Sequence, residues 1–342
     1  FDHRYMELVQ KACKEAVEEA VRNLQPADMI LAQVTAGPDG YVDDSRQPIV
    51  YDNVMRCARF VKKGTDDTIA TVVEWGNHPE TLGGANSLLT SDFSGYWRDA
   101  VENGVPEPHG VKGLGGICLY FQGCVGGLMT QLHTTVPHRN GVDKFKEASF
   151  EKAQALGENL AILTVNALRG EKAWRPADTQ VAVAAKTIFV PMSGLFQYGI
   201  LLGLVHPGWY WGEGKTELDV IRIGDLEILT IPGELYPEIA DGGIESPEGA
   251  DYPSPAIEVP PWRSQMQGKL NMIVGLANDE LGYIIPKSQW DTKAPYAYGR
   301  TKSPQYGEQN SPGPDVAPTI HHEALALLKQ FHAAQAGAKA LP

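Results

Sequence analysis

Glycine and proline constrain this chain before any other feature. The 36 glycines and 24 prolines are scattered rather than repeated, which implies long structured loops and not low-complexity sequence. Loops on a rigid scaffold are where enzymes usually keep their chemistry. The apolar runs between these breakers stay well short of the ~18 residues that a membrane-spanning helix needs.

The segments themselves alternate between two periods. Residues 3–24 carry Met6, Val9, Ala12, Val17, Val21 and Leu24 at helical spacing, and Pro26 closes the run. Residues 29–36, 69–75, 116–123 and 179–192 read as strands. Residues 219–234 read as a hairpin turning at Gly224-Asp225, and residues 269–279 as a further strand. Ser91 is an N-cap candidate for a helix reaching about Glu102, with Asp92 in its first turn. Long helices are predicted over 144–168 and 319–335. Helices and strands intermix without a strict βαβ rhythm, and no repeat or linker divides them. The expectation is a single α/β domain over residues 1–342, a mixed β-sheet core flanked by helices.

Formal charge is −13, so the chain lacks the excess of cations that nucleic-acid phosphates require. The cysteines are Cys13, Cys57, Cys118 and Cys124, with no CxxC pair to form a structural zinc knuckle. Cys118 and Cys124 flank one apolar run and could pair or stay as buried thiols. The sequence opens at Phe1 directly into a helical pattern, and the expectation is that further sequence precedes it.

Three apolar strands end in polar groups. The first, "TVVEW", leads to His78, held stiffly before Pro79. The second, "EILTIPGE", ends on Glu234. The third, "MIVGLANDELGYIIP", carries Asn278, Asp279, Glu280 and Tyr283. Strand ends in a mixed sheet can converge on one rim. An imidazole nitrogen, a carboxylate and a phenolate would form a plausible shell for Zn²⁺. Each also has a plain structural reading. His78 can be a hydrogen-bonded loop residue, Glu234 a helix N-terminal carboxylate, and Tyr283 a packed aromatic.

Taken in order, "NHPETL" with "SDFSGYWR", "LYFQGCVGG", "TIPGE" and "GLANDELGYIIP" resemble the neutral/alkaline non-lysosomal ceramidase family and its bacterial relatives. The resemblance implies a zinc-dependent amidase fold with His78, Glu234 and Tyr283 as metal ligands. It also implies a further histidine ligand ahead of the first helix. His3 lies within that helix and does not match, so either preceding sequence, as a separate N-terminal chain segment, supplies it or the site is incomplete. An early-loop arginine near the substrate's polar head corresponds to Arg46 in "DDSRQP". The family's nucleophilic serine falls on Gly126, which has no side chain. Thr130 offers a nearby hydroxyl, and Cys124 is either a second nucleophile or a structural thiol. His133 or His138 as a proton shuttle would contribute about 10²–10⁴-fold; the alternative is a solvated loop histidine. Asp92 could orient His78 in addition to capping its helix. His206, with Trp209, Tyr210 and Trp211, could line a substrate cleft. His321 and His322 look like surface residues ahead of the last helix.

The expectation is that the chain lacks the immunoglobulin-like C-terminal domain that ceramidases append. With Gly126, this points to a ceramidase-like hydrolase and away from ceramide itself. The expected activity is zinc-dependent hydrolysis of a small-molecule or lipid-like N-acyl amide. A non-catalytic binding or structural protein, or a metal-dependent esterase, are the alternatives. The family's habits imply a secreted or periplasmic location.

Overall fold

Asp2 opens the first helix, its carboxylate accepting from the Arg4 and Tyr5 amides; this is α1 (His3–Arg22). In this computed structural model, residues 2–202, 209–210 and 213–339 are described. After α1 come β1 (Ala27–Thr35), β2 (Val54–Lys62), β3 (Thr68–Trp75), α2 (Asp92–Asn103), β4 (Ile117–Gln122) and α3 (Phe150–Arg169). The second half contains β5 (Val181–Pro191), α4 (Gly194–Leu201), β6 (Glu213–Ile223) and β7 (Leu226–Thr230). It continues through α5 (Pro237–Asp241) and β8 (Leu270–Val274) to α6 (Val316–Lys339).

Each half builds a sheet with the same series of pairings. In the first, β1–β2 and β2–β3 are antiparallel and β3–β4 parallel. In the second, β5–β6 and β6–β7 are antiparallel and β7–β8 parallel, with Trp209–Tyr210 pairing beside β6. A parallel pair needs a long crossover. Helix α2 lies in the first crossover, and α5 in the second.

The layers follow from which face of each strand is apolar. One face of the first sheet packs on α2 and α3, around the fully buried Trp75, Phe93 and Trp97. Trp75 meets both other rings edge to face at 6.2 Å, a favoured aromatic geometry. One face of the second sheet packs on α5 and α6. The remaining faces meet through Met29, Leu31, Ala58, Leu226, Ile228, Leu270 and Met272. The order is therefore helix, sheet, sheet, helix, as expected for a mixed α/β fold.

Several elements depart from the sequence reading. The helix predicted over 144–168 starts at Phe150, because the Ser149 hydroxyl caps the Lys152 amide at 3.1 Å. Residues 144 and 145 instead pair with 137 and 136. His321 is buried inside α6, stacked on Trp262 and hydrogen-bonded to the Pro260 carbonyl at 2.9 Å. Helix α1 forms where its pattern predicts, yet none of its residues is buried. Among the described residues no helix is long and apolar enough to cross a membrane.

Candidate functional site

The carboxyl ends of β3, β4, β7 and β8 meet at one place. In parallel sheets this end is where loops diverge and leave a crevice. The Gly275 amide, just past β8, donates to the Gln122 carbonyl at the end of β4 at 2.9 Å. A Cβ on Gly275 would lie 2.9 Å from the Gly123 carbonyl oxygen and 3.1 Å from that of Gly233. Glycine is thus required where the two sheets close on each other.

His78 is mounted from below and from the side. A Cβ on Gly76 would sit 2.1 Å from the Cys124 carbonyl oxygen, so only glycine lets the chain pass. Gln122 then grips Asn77, accepting from its amide at 3.2 Å and donating to its carbonyl at 2.9 Å. The Met129 carbonyl accepts from the His78 amide at 3.0 Å and faces Nδ1 at 2.7 Å. A carbonyl can only accept, so Nδ1 carries a proton. Nε2 is left as the free end of the ring.

Glu234 and Tyr283 arrive directly opposite one another, in a short parallel pairing of 234–235 with 283–284. The Glu234 amide donates to the Gly282 carbonyl at 2.9 Å. Glu234 Oε2 lies 2.8 Å from His78 Nε2, and the Tyr283 hydroxyl lies 3.5 Å from the same nitrogen. With Nδ1 already protonated, a carboxylate at 2.8 Å from Nε2 requires a proton or another cation between the two lone pairs. The side chains of His78 and Glu234 are 23% and 20% exposed, open enough for a ligand to reach them.

The electrostatics follow from this contact. Burial pulls the His78 pKa down, but the hydrogen bonds to Glu234 and Met129 and the charges of Glu234 and Glu80 leave it above its ordinary value. Burial, then the charge of Glu234, pushes the Tyr283 phenol well up. Glu280 is pushed up to about 7 by desolvation and the charge of Glu234, against the Gly282 amide and His78. Among the described residues no group of three His, Cys, Asp or Glu side chains could hold a metal. The third donor here is a phenol.

The structure thus joins His78, Glu234 and Tyr283. It sends the other candidates elsewhere. Arg46 is buried, its guanidinium clasped by Glu308 at 2.7 and 3.0 Å and by the Tyr306 and Gln289 carbonyls at 2.6 and 3.1 Å. It lies under the Tyr236 ring, 5.5 Å from its centroid, and Tyr236 packs edge-on to Tyr283. Arg46 therefore braces the wall behind Tyr283 and does not face an open pocket. Thr130 is buried, its hydroxyl accepting from the Leu132 amide at 3.0 Å. His133 is exposed and makes none of the cluster's contacts among the described residues. His138 packs edge-on to Phe145. Asp92 accepts from the Leu82 and Phe93 amides, so Met129, not Asp92, orients His78. Cys124 is a buried thiol with its pKa pushed well up by burial, unsuited to nucleophilic attack. A side chain at Gly126 would place Cβ 2.4 Å from Tyr236 Cδ2. His206 and Trp211 lie outside the described residues, as do the side chains of Trp209 and Tyr210.

Sequence reasoning missed the Met129 carbonyl, because a backbone acceptor leaves no signature in side-chain patterns. It also passed over Arg56, Asp52 and Arg263, scattered charges that only the fold gathers beneath the site.

No protein-family model and no curated protein sequence matches this chain. Solved structures do. The fold is ceramidase-like. The crystal structure of neutral ceramidase from Pseudomonas aeruginosa shares 13% identity at a TM-score of 0.60, covering 92% of this chain and 54% of that one. A ceramidase complexed with C2 shares 14% identity at a TM-score of 0.61, covering 93% and 55% respectively. This chain spans about half the length of the ceramidases it matches.

Proposed function

We propose that the chain hydrolyses an amide bond at a centre formed by His78, Glu234 and Tyr283, with zinc as cofactor. What supports this reading is the convergence of an imidazole, a carboxylate and a phenol, with contacts at 2.8 and 3.5 Å, from loops of two different sheets. One nitrogen and two oxygens suit Zn²⁺, which takes such donors and keeps a position open in catalytic sites. Bound there, zinc supplies Lewis acidity that polarises a carbonyl and acidifies water. The likeness to ceramidases supports, as the substrate class, an N-acyl amide with a lipid-like chain.

The chain's own residues have defined parts. Met129 fixes the His78 tautomer, so that Nε2 is the donor atom. Glu234 supplies the negative charge that a cation at Nε2 requires. Tyr283 offers its hydroxyl oxygen 3.5 Å from Nε2 and would be the second oxygen donor. With no side chain at Gly126, water is the attacking group.

The test is metal analysis of the purified protein together with hydrolysis of fluorogenic N-acyl amides. The expected outcome is about one zinc per chain, activity lost on chelation, and both lost in His78→Ala. No bound zinc and unchanged activity in His78→Ala would sink the reading. The tight packing of Gly126 on Tyr236 favours one rival, a binding protein without turnover. That rival predicts saturable binding of an acyl amide that stays intact. A metal-dependent esterase would turn over the matching ester alone.

A further inference from the structure

Beneath the site lies a second polar cluster that the reaction does not use. Arg263, in the short turn Trp262–Ser264, sends Nη2 to Asp52 at 2.5 Å, with Glu74 at 3.6 Å and the Cys124 sulfur at 3.8 Å. Its Nη1 pairs with Asp241. Arg56 closes the ring from the other side, reaching Asp52 at 3.1 Å and Glu74 at 3.0 Å. Asp52, Arg56 and Glu74 are buried, and the Arg263 side chain is 10% exposed.

What matters is where these partners sit along the chain. Glu74 is on β3, four residues before His78. Asp241 ends α5, the helix that begins three residues after Glu234. Cys124 belongs to the turn over which Gly76 passes. One guanidinium therefore touches the strand that delivers His78, the helix that follows Glu234 and the turn between them. These segments belong to the two halves of the fold, and the guanidinium ties them together side chain to side chain, beside the Gly126 amide to Leu235 carbonyl hydrogen bond at 2.8 Å.

We propose that Arg263 is a positioning residue that sets the distance between His78 and Glu234, a proposal that rests on the reading of those two residues as the functional centre. Its planar fork holds carboxylates on two edges at a fixed angle, which a lysine, a flexible point charge, does not reproduce. The effect is on geometry, not only on stability. Residues that orient metal ligands from behind typically change metal affinity by about 10–100-fold.

The test compares wild type with Arg263→Lys, which keeps the buried charge, and Asp241→Asn, whose position is the most exposed of the cluster. Zinc affinity is measured by dye competition on the folded protein, and each variant is crystallised. The expected result is about a 10-fold or greater loss of affinity in Arg263→Lys, a smaller loss in Asp241→Asn, and separation of His78 from Glu234 in both crystals. If Arg263→Lys fails to fold, Asp241→Asn decides alone. Folded variants that keep wild-type zinc affinity and the His78–Glu234 contact would overturn the proposal. A wild type that takes up no zinc defeats the metal reading, and the His78–Glu234 separation in the variant crystals still decides the role of Arg263.

Discussion

Two polar clusters lie one above the other in this protein, and they are built on opposite terms. In the lower one, Arg56 and Arg263 stand among Asp52, Glu74 and Asp241, so that every carboxylate faces a guanidinium. In the upper one, His78, Glu234 and Tyr283 face one another with no arginine or lysine among them. Asp52, Arg56 and Glu74 of the lower cluster are almost closed to solvent, with Asp241 at its exposed edge, while His78 and Glu234 of the upper one are about a fifth exposed and Tyr283 is buried. Convergence of polar groups alone does not make a site. The upper cluster is distinguished by a carboxylate and a phenol that both approach one imidazole nitrogen, at 2.8 and 3.5 Å.

A third group around Arg46 falls between these extremes. Glu308 neutralises the arginine, leaving the nearby buried acids Asp44 and Glu238 without full compensation. Burial drives Asp44 up to about 7, against the Arg46 and Val50 amides. Burial also drives Glu238 up to about 8, with the charge of Asp44 adding to it.

The comparison can be broken most directly at the upper cluster. Glu234→Gln keeps shape and removes charge, and is expected to lower kcat/KM on an acyl amide by about 10²–10⁴-fold. Its stability should change little, since the residue is partly exposed. Activity unaffected in Glu234→Gln would place the chemistry elsewhere. The lower cluster should respond in the opposite sense. Arg56→Met leaves Asp52 and Glu74 short of a cation, and is expected to cost ~3–5 kcal/mol in urea unfolding.

The buried acids should show themselves through pH, those around Arg46 together with Glu74, which burial also raises to about 7. Asp44 and Glu238 have folded pKa values above their unfolded ones, so the folded state binds more protons than the unfolded state between about pH 4 and 8. Their favourable contribution is full below that window and is lost as pH rises through 7 to 8. Asp52 is lowered, with Arg263 and Arg56 outweighing its burial, and it opposes the trend only as pH falls through its depressed pKa. Unfolding free energy is therefore expected to fall on the order of 6 kcal/mol from pH 5 to pH 8. A flat denaturation profile across that range would contradict this.

Smaller effects sharpen the boundary of the site. Gly126→Ser would add a hydroxyl to this turn, but its Cβ meets Tyr236. The expected result is ~1–3 kcal/mol of destabilisation by overpacking and no gain in turnover. Smallest of all, Val17→Asn on α1 should change stability by less than ~0.5 kcal/mol, because Val17 is 64% exposed.

Much of this was legible in the sequence because it depended on local pattern. Apolar runs marked most of the strands and helices, and polar residues just beyond three of the strands marked His78, Glu234 and Tyr283. Arg46 could not be read correctly, since its role depends on Glu308, 262 positions away. His321 looked like a surface residue because its partner, the Pro260 carbonyl, lies in a distant loop. The helical stripe of α1 was correctly drawn, but periodicity reports a helix's shape and not whether anything packs on it.

Local pattern alone places His78, Glu234 and Tyr283 just beyond strand ends. Short-range sterics and hydrophobic period fix where strands stop, and the residues that follow them are printed in the chain. Only the tertiary structure decided that three of those ends meet within hydrogen-bonding reach, that Met129 holds the imidazole, and that Arg263 spans both sheets. Each of these depends on the closure of two separate sheets at Gly123, Gly233 and Gly275, a long-range packing event that no local pattern encodes.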